Sequence, residues 1–291
     1  MKRYALKLAY DGTKYAGWQV QPNASTIAGT LEGHLARLLG EPVRVVGAGR
    51  TDAGVHAWGQ VAHWETAKPL PTPFLSRLNA LLPGDIRALA LYEAAPGFHA
   101  RHSALSRTYR YWVRTYPNPF LRAYSLEAQP PLDLTMLQQA AALLVGEHDF
   151  AAFGKELNRY PHTRCKVIRA QWSYTEGLYQ FVVEANRFLR AMVRALVGAQ
   201  VRLAQGRLSW QRFQAALIQQ DRSWGLHLAP PQGLFFWEVA YPPDSLYLLE
   251  RYDLPPTAFS IGPAPAPAPE SAPDSTGASA GSAQQRPGKS H

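Results

Sequence analysis

Residues 43–57 read VRVVGAGRTDAGVHA. A β-branched run, Val43 to Ala48, predicts a strand. It leads into residues 47–57, GAGRTDAGVHA, which hold three glycines, three alanines, one arginine, one aspartate and one histidine. Side chains this small build no core, but they allow a backbone to approach a ligand closely. Asp52 is then displayed on a loop after a strand, where catalytic groups are often placed. An Asx turn or a helix N-cap would use the same carboxylate for purely local reasons. The stretch is not a phosphate loop, because the Lys-Ser/Thr pair that completes one is missing. No dinucleotide fingerprint fits it either.

On either side of this stretch, strands and helices alternate. Tyr4, Leu6, Leu8 and Tyr10 alternate with other residues and predict a half-buried strand, with Asp11-Gly12 turning the chain. Ser25 or Thr26 can cap a helix that carries Ile27, Leu31, Leu35 and Leu38 on one face and ends at Gly40. Residues 61–65 predict a strand, Phe74, Leu78 and Leu81 mark a short helix, and residues 86–93 return as a strand. The second half repeats this order without sequence identity. Residues 108–115 predict a strand, and Asp133 caps a helix ending at Gly146. Residues 166–174 and 178–185 form a hairpin around TEG. Helices follow at 190–203 and around Trp210, Phe213 and Leu217, and LFFWEVAY (234–241) closes as a buried strand. The expected class is α+β, with long sheets covered on one face by helices. Residues 1–105 and 106–254 are expected to form two halves of one folded domain. From Pro255 the chain is rich in Pro, Ala, Ser and Gly, a composition that cannot bury enough surface to offset its ordering entropy.

Composition narrows the partners. The net charge is +9. Glu270, Asp274, Arg286 and Lys289 cancel within the tail, so the excess belongs to residues 1–254. A cationic surface of this size suits a polyanion, because Lys and Arg release counterions from phosphates. The single cysteine, Cys165, excludes an internal disulfide. The start MKRYALKLAY has no long apolar run, and no apolar window reaches membrane-spanning length. A cytoplasmic protein is expected, with no membrane association.

Two further segments carry chemistry. In RTYRYWVR (107–114), period two puts Tyr109 and Tyr111 on one face and Arg110, Trp112 and Arg114 on the other. Aromatics among arginines suit base stacking beside phosphate contacts. An aromatic core face opposite a solvated cationic face reads equally well. In NRFLRAMVRALVG (186–198), Arg187, Arg190 and Arg194 recur at helical spacing, as a solvated basic stripe would. Arg194 falls close to the apolar stripe of Met192, Leu196 and Val197 and so calls for a carboxylate partner. Asp52 is the nearest carboxylate without an obvious partner of its own. His56 and His63 lack a third ligand for a metal and are expected as neutral, hydrogen-bonded histidines.

Taken together, these segments resemble the bacterial tRNA pseudouridine synthase A family. GAGRTDAGVHA is similar to that family's catalytic loop. YDGTKYAGWQ (10–19), NALLPGDI (79–86), FHARHSALSRTYRYWV (98–113), FLRAMVRALVG (188–198) and GLFFWEVAYP (233–242) support the match. His102 stands where the family usually has an aromatic residue, Phe most often. The resemblance implies the pseudouridine synthase fold, two similar halves forming one extended, mostly antiparallel sheet with helices on one face and a central cleft. It implies that Asp52 is catalytic, that Tyr109 stacks near the target base, and that Arg194 is the basic partner of Asp52. Arg50 would hold the flipped nucleotide or its phosphates. The implied activity is isomerisation of uridine to pseudouridine in the tRNA anticodon stem-loop, at tRNA positions 38–40, by a homodimer that needs no cofactor and no metal. A non-catalytic tRNA-binding or chaperone protein on the same scaffold is the alternative.

Overall fold

The computed structural model describes residues 1–252. The tail expected from residue 255 lies outside them. The chain starts with β1 (Lys2–Tyr10), α1 (Ile27–Leu39), β2 (Val46–Gly47), β3 (His56–Thr66), α2 (Phe74–Leu81) and β4 (Ile86–Ala94). It continues with β5 (Ser106–Arg114), β6 (Leu126–Glu127), α3 (Leu134–Leu143), β7 (Gly146–Asp149), β8 (Arg164–Thr175) and β9 (Leu178–Ala185). It closes with α4 (Met192–Ala204), α5 (Trp210–Ile218), β10 (Leu234–Ala240) and β11 (Leu246–Arg251).

All eleven strands join one sheet, in the order β11-β4-β1-β3-β10-β5-β9-β8-β7, with β2 on β3 and β6 on β5. The pairings are antiparallel except β10 with β3 and β5 with β6. The protein is therefore α+β on an open, mostly antiparallel sheet. The strand β10 comes late in sequence but sits centrally, and it bridges β3 of the first half to β5 of the second. In the other direction, β11 returns to the edge beside β4.

The hydrophobic alternation predicted in β1 holds: Tyr4, Leu6, Leu8 and Tyr10 are buried in the core shared with α1. Burying each such leucine contributes roughly 1.5–3 kcal/mol. Thr26 caps α1, its Oγ1 accepting from Gly29 N at 3.3 Å, and Asp133 caps α3 by accepting from Met136 N at 3.0 Å. A cap of this kind is worth about 1 kcal/mol. The predicted hairpin is present as β8 and β9. Its two-residue turn, Glu176-Gly177, has φ of 49° and 82°, and the strand pairing closes across it at Thr175 and Leu178.

Several expectations are corrected. The strand predicted over residues 43–48 shrinks to Val46–Gly47, because α1 captures the backbone before it. Glu32 Oε1 accepts from Val45 N at 3.0 Å, and Glu32 Oε2 pairs with Arg44 at 3.0 Å. The strand predicted over 61–65 starts five residues earlier, inside the small-residue stretch, where it pairs with β1 and β10. The loop therefore leads into a long strand more than it follows one. The helix α3 stops at Leu143, and Gly146 opens an edge strand paired with β8. The helix α4 starts at Met192, and Ala191 at its N-cap has φ 61°. Arg187 and Arg190 thus lie outside the helix, and the basic stripe does not exist.

The face of β5 expected to be solvated is covered. Arg114 is 4% exposed, donates to Tyr116 O at 3.0 Å, and pairs with Glu127. Trp112 packs edge-on to Phe235 at 4.7 Å, and Arg110 lies 3.9 Å from the Trp237 ring.

Candidate active site

The loop between β2 and β3 carries Arg50 and Asp52. It is fastened from below. Trp18 N donates to Thr51 O at 3.0 Å, and the Tyr10 hydroxyl meets Thr51 Oγ1 at 2.9 Å. Gln60 Nε2 donates to Gly49 O at 2.8 Å. Burial pushes the Tyr10 hydroxyl up to about 12, against the hydrogen bonds from Thr51 and Gln60. It stays protonated and available as a neutral tether. A Cβ on Gly49 would lie 2.7 Å from the Phe236 ring, so only glycine allows the loop to sit this low on the sheet. Sequence reading gave Tyr10 and Gln60 no role. Both point inward from strands, and only the fold reveals that they end under the loop.

Asp52 meets Arg194 from the first turn of α4, 142 residues away, with Nη1 donating to Oδ2 at 3.0 Å. The two side chains are 31% and 17% exposed, which makes a half-buried pair open to one side. Arg194 is aimed by its own backbone contacts. Its Nε donates to Ala229 O at 2.8 Å, while Ala229 N donates to Arg194 O at 3.0 Å. Tyr111 holds the same segment, donating to Pro230 O at 2.8 Å. The pairing proposed from sequence is present, although the helix that carries Arg194 begins later than expected.

Tyr109 is buried in the adjoining strand, edge-on to Phe188 and to Phe236, each at 5.0 Å. Burial raises its hydroxyl above the usual tyrosine range, and the charges of Tyr10 and Asp52 add to the effect. The structure thus gathers Asp52, Arg194 and Tyr109 in one region. Arg50, by contrast, is exposed and makes no hydrogen bond or ion pair among the described residues.

The two histidines serve the scaffold. His56 bridges Asp11 and the segment after β5: Nδ1 lies 3.1 Å from Asp11 Oδ1, and Nε2 donates to Ala123 O at 3.1 Å. Tyr124 donates to the other Asp11 oxygen at 2.9 Å. The His56 hydrogen bond, more than those from Thr13 and Tyr124, holds the Asp11 carboxyl well below the usual range in spite of its burial. His63 accepts from Ala100 N at 3.1 Å. No group of three His, Cys, Asp or Glu among the described residues is placed to hold a metal, and no helix among them is long and apolar enough to cross a membrane.

The sequence that builds this fold and this pairing matches known proteins. A family model described as tRNA pseudouridine synthase matches residues 7–98 and 140–242. The chain belongs to that family. Asp52 and Arg50 fall in the first matched stretch and Arg194 in the second, while Tyr109 lies between them. Individual relatives point the same way. The tRNA pseudouridine synthase A of Chlorobaculum tepidum is 42% identical over 241 residues, 81% of this chain and 96% of the relative. That of Bacteroides thetaiotaomicron is 41% identical over 248 residues, 84% of this chain and 92% of the relative. That of Porphyromonas gingivalis is 41% identical over 254 residues, 84% of this chain and 99% of the relative.

Proposed function

We propose that this protein isomerises uridine to pseudouridine in the anticodon stem-loop of tRNA, at tRNA positions 38–40, with Asp52 as the catalytic residue. The observation that carries the reading is the 3.0 Å contact between Asp52 and Arg194, set in the small-residue loop. The reaction breaks the bond between N1 of uracil and C1′ of ribose, turns the detached base, and joins C5 to C1′. The proton lost from C5 is balanced by the one gained at N1, so the product is an isomer. No electron is transferred and no water is consumed. The chemistry itself therefore calls for neither a redox cofactor nor a metal-activated water.

One carboxylate meets this demand. Asp52 acts on the sugar either as a nucleophile at C1′ or as a base at C2′. Arg194 balances its charge and fixes the direction of its free oxygen. A target base in a stem must leave the stack, which requires a ring to receive it and space beside the carboxylate. Tyr109 supplies the ring and the small side chains of residues 47–57 supply the space. Arg50, exposed on the same loop, is free to take the flipped nucleotide or its phosphates. A cytoplasmic homodimer, with tRNA across both subunits, completes the reading. The domain division is 1–105 and 106–254 as halves of the catalytic unit, with 255–291 as a tail.

Mapping pseudouridine in tRNA from cells with and without the protein tests this. The modification is expected to vanish from the anticodon stem-loop on deletion and to return with the intact gene. Unchanged tRNA that the purified protein still binds would favour the non-catalytic binder.

A further inference from the structure

Two stretches of basic sequence lie far apart in the chain: residues 155–166, KELNRYPHTRCK, and residues 186–190, NRFLR. Together they hold six Lys and Arg against one carboxylate, Glu156. The fold sews them into one surface. Lys155 N donates to Arg190 O at 3.0 Å, and Arg190 N donates to the Tyr160 hydroxyl at 2.8 Å. Asn186 and Lys166 exchange two hydrogen bonds, at 2.9 and 3.1 Å. The Arg187 guanidinium lies 5.4 Å from the Tyr160 ring. Lys155, Lys166 and Arg190 are exposed and Arg187 is half-buried.

This surface adjoins the site. Between Arg187 and Arg190 the chain turns Phe188 inward, edge-on to Tyr109 at 5.0 Å. Four residues past Arg190 stands Arg194, the partner of Asp52. Cations gathered about one aromatic residue, beside the Asp52–Arg194 pair, match the pattern by which proteins follow a nucleic-acid backbone. Glu156 pairs with both Arg159 and Arg190, and Glu147 with Arg164, which leaves Lys155, Lys166 and Arg187 without an ion-pair partner among the described residues.

We propose that Lys155, Lys166, Arg187 and Arg190, grouped around Tyr160, seat the phosphates of the RNA strand that enters the cleft. The proposal rests on the tRNA reading above and assigns the binding surface within it. Phosphate contacts release counterions, so each one lost should flatten the dependence of log K on log salt by about 0.7–0.9.

The test is binding of an anticodon stem-loop RNA to the full chain, measured across a salt series. The triple variant Lys155→Gln, Lys166→Gln, Arg187→Gln is compared with Lys2→Gln, Arg44→Gln, which removes cations elsewhere on the first half. The triple variant is expected to bind at least tenfold more weakly at low salt, with its slope flattened by about 2. The control is expected to keep the wild-type slope. Glu156→Gln provides a variant of opposite sign and is expected to bind more tightly. A triple variant with the wild-type slope, a control that flattens equally, or a Glu156→Gln protein that binds more weakly while still folded would overturn the assignment. These binding readouts are independent of turnover. Loss of the tRNA reading would show instead as a wild-type protein that forms no pseudouridine.

Discussion

Arg194 reaches Asp52 with one nitrogen and the carbonyl of Ala229 with another, so a single side chain ties the Asp52 loop of the first half to the segment before β10. It therefore has two duties: balancing the charge of Asp52 and fixing its orientation. A lysine can do only the first, because it lacks the planar fork. Arg194→Ala is expected to lower turnover by roughly 10²–10³, the scale for deleting a positioned donor in an active site. The stability loss is expected at about 1–3 kcal/mol, less than for a fully buried pair, because both side chains keep contact with solvent. Arg194→Lys should recover more stability than activity. Single-turnover rates beside thermal melts check this, and equal recovery of both would contradict the orienting role.

Tyr109 presents a ring and a hydroxyl, and Tyr109→Phe separates them. Stacking on a base, worth about 1–3 kcal/mol, should survive in the variant. If the hydroxyl assists turnover, the rate falls while tRNA affinity holds. Tyr109→Ala should weaken both. Full activity in both variants would make Tyr109 a core residue and move the site elsewhere.

His63 gives the fold a pH dependence. Burial, with help from the charges of His99 and Arg3, lowers its pKa from 6.5 to about 4. The unfolded chain then binds a proton between those values that the folded chain refuses. Stability is complete above pH 6.5 and declines as pH falls toward 4, by about 1–3 kcal/mol in total. His63→Gln, which keeps an acceptor for Ala100 N–H, should remove this part of the decline. Melting temperatures from pH 7 to pH 4 that fall equally in both proteins would contradict the assignment.

Much of this was readable in the sequence because local signals and tertiary structure agree. The alternation in β1, the Thr26 and Asp133 caps and the TEG hairpin are short-range effects, and each appears where its residues place it. Errors arose where a distant partner won. Glu32 drew residues 44–45 away from the sheet, and β10 extended β3 into the loop. The left-handed turn at Ala191 took Arg187 and Arg190 off the helix, which turned a supposed stripe into a surface shared with residues 155–166. Within the site, Asp52 and Arg194 were legible because an arginine beside an apolar stripe demands a carboxylate. Tyr10 and Gln60 were not, because a buried polar residue in a strand gives no sign of what lies above it.

Asp52→Asn tests the central claim most directly. The substitution keeps the shape of the side chain and removes its charge, and Arg194 can still donate to the amide oxygen. In single-turnover conversion of an anticodon stem-loop, the variant is expected to lose activity by roughly 10⁴ or more, the scale seen when an essential active-site residue is deleted. Folding should be intact and tRNA affinity within about tenfold of wild type, since phosphate contacts carry most of the binding. A folded Asp52→Asn protein that still forms pseudouridine at an ordinary rate would contradict the account.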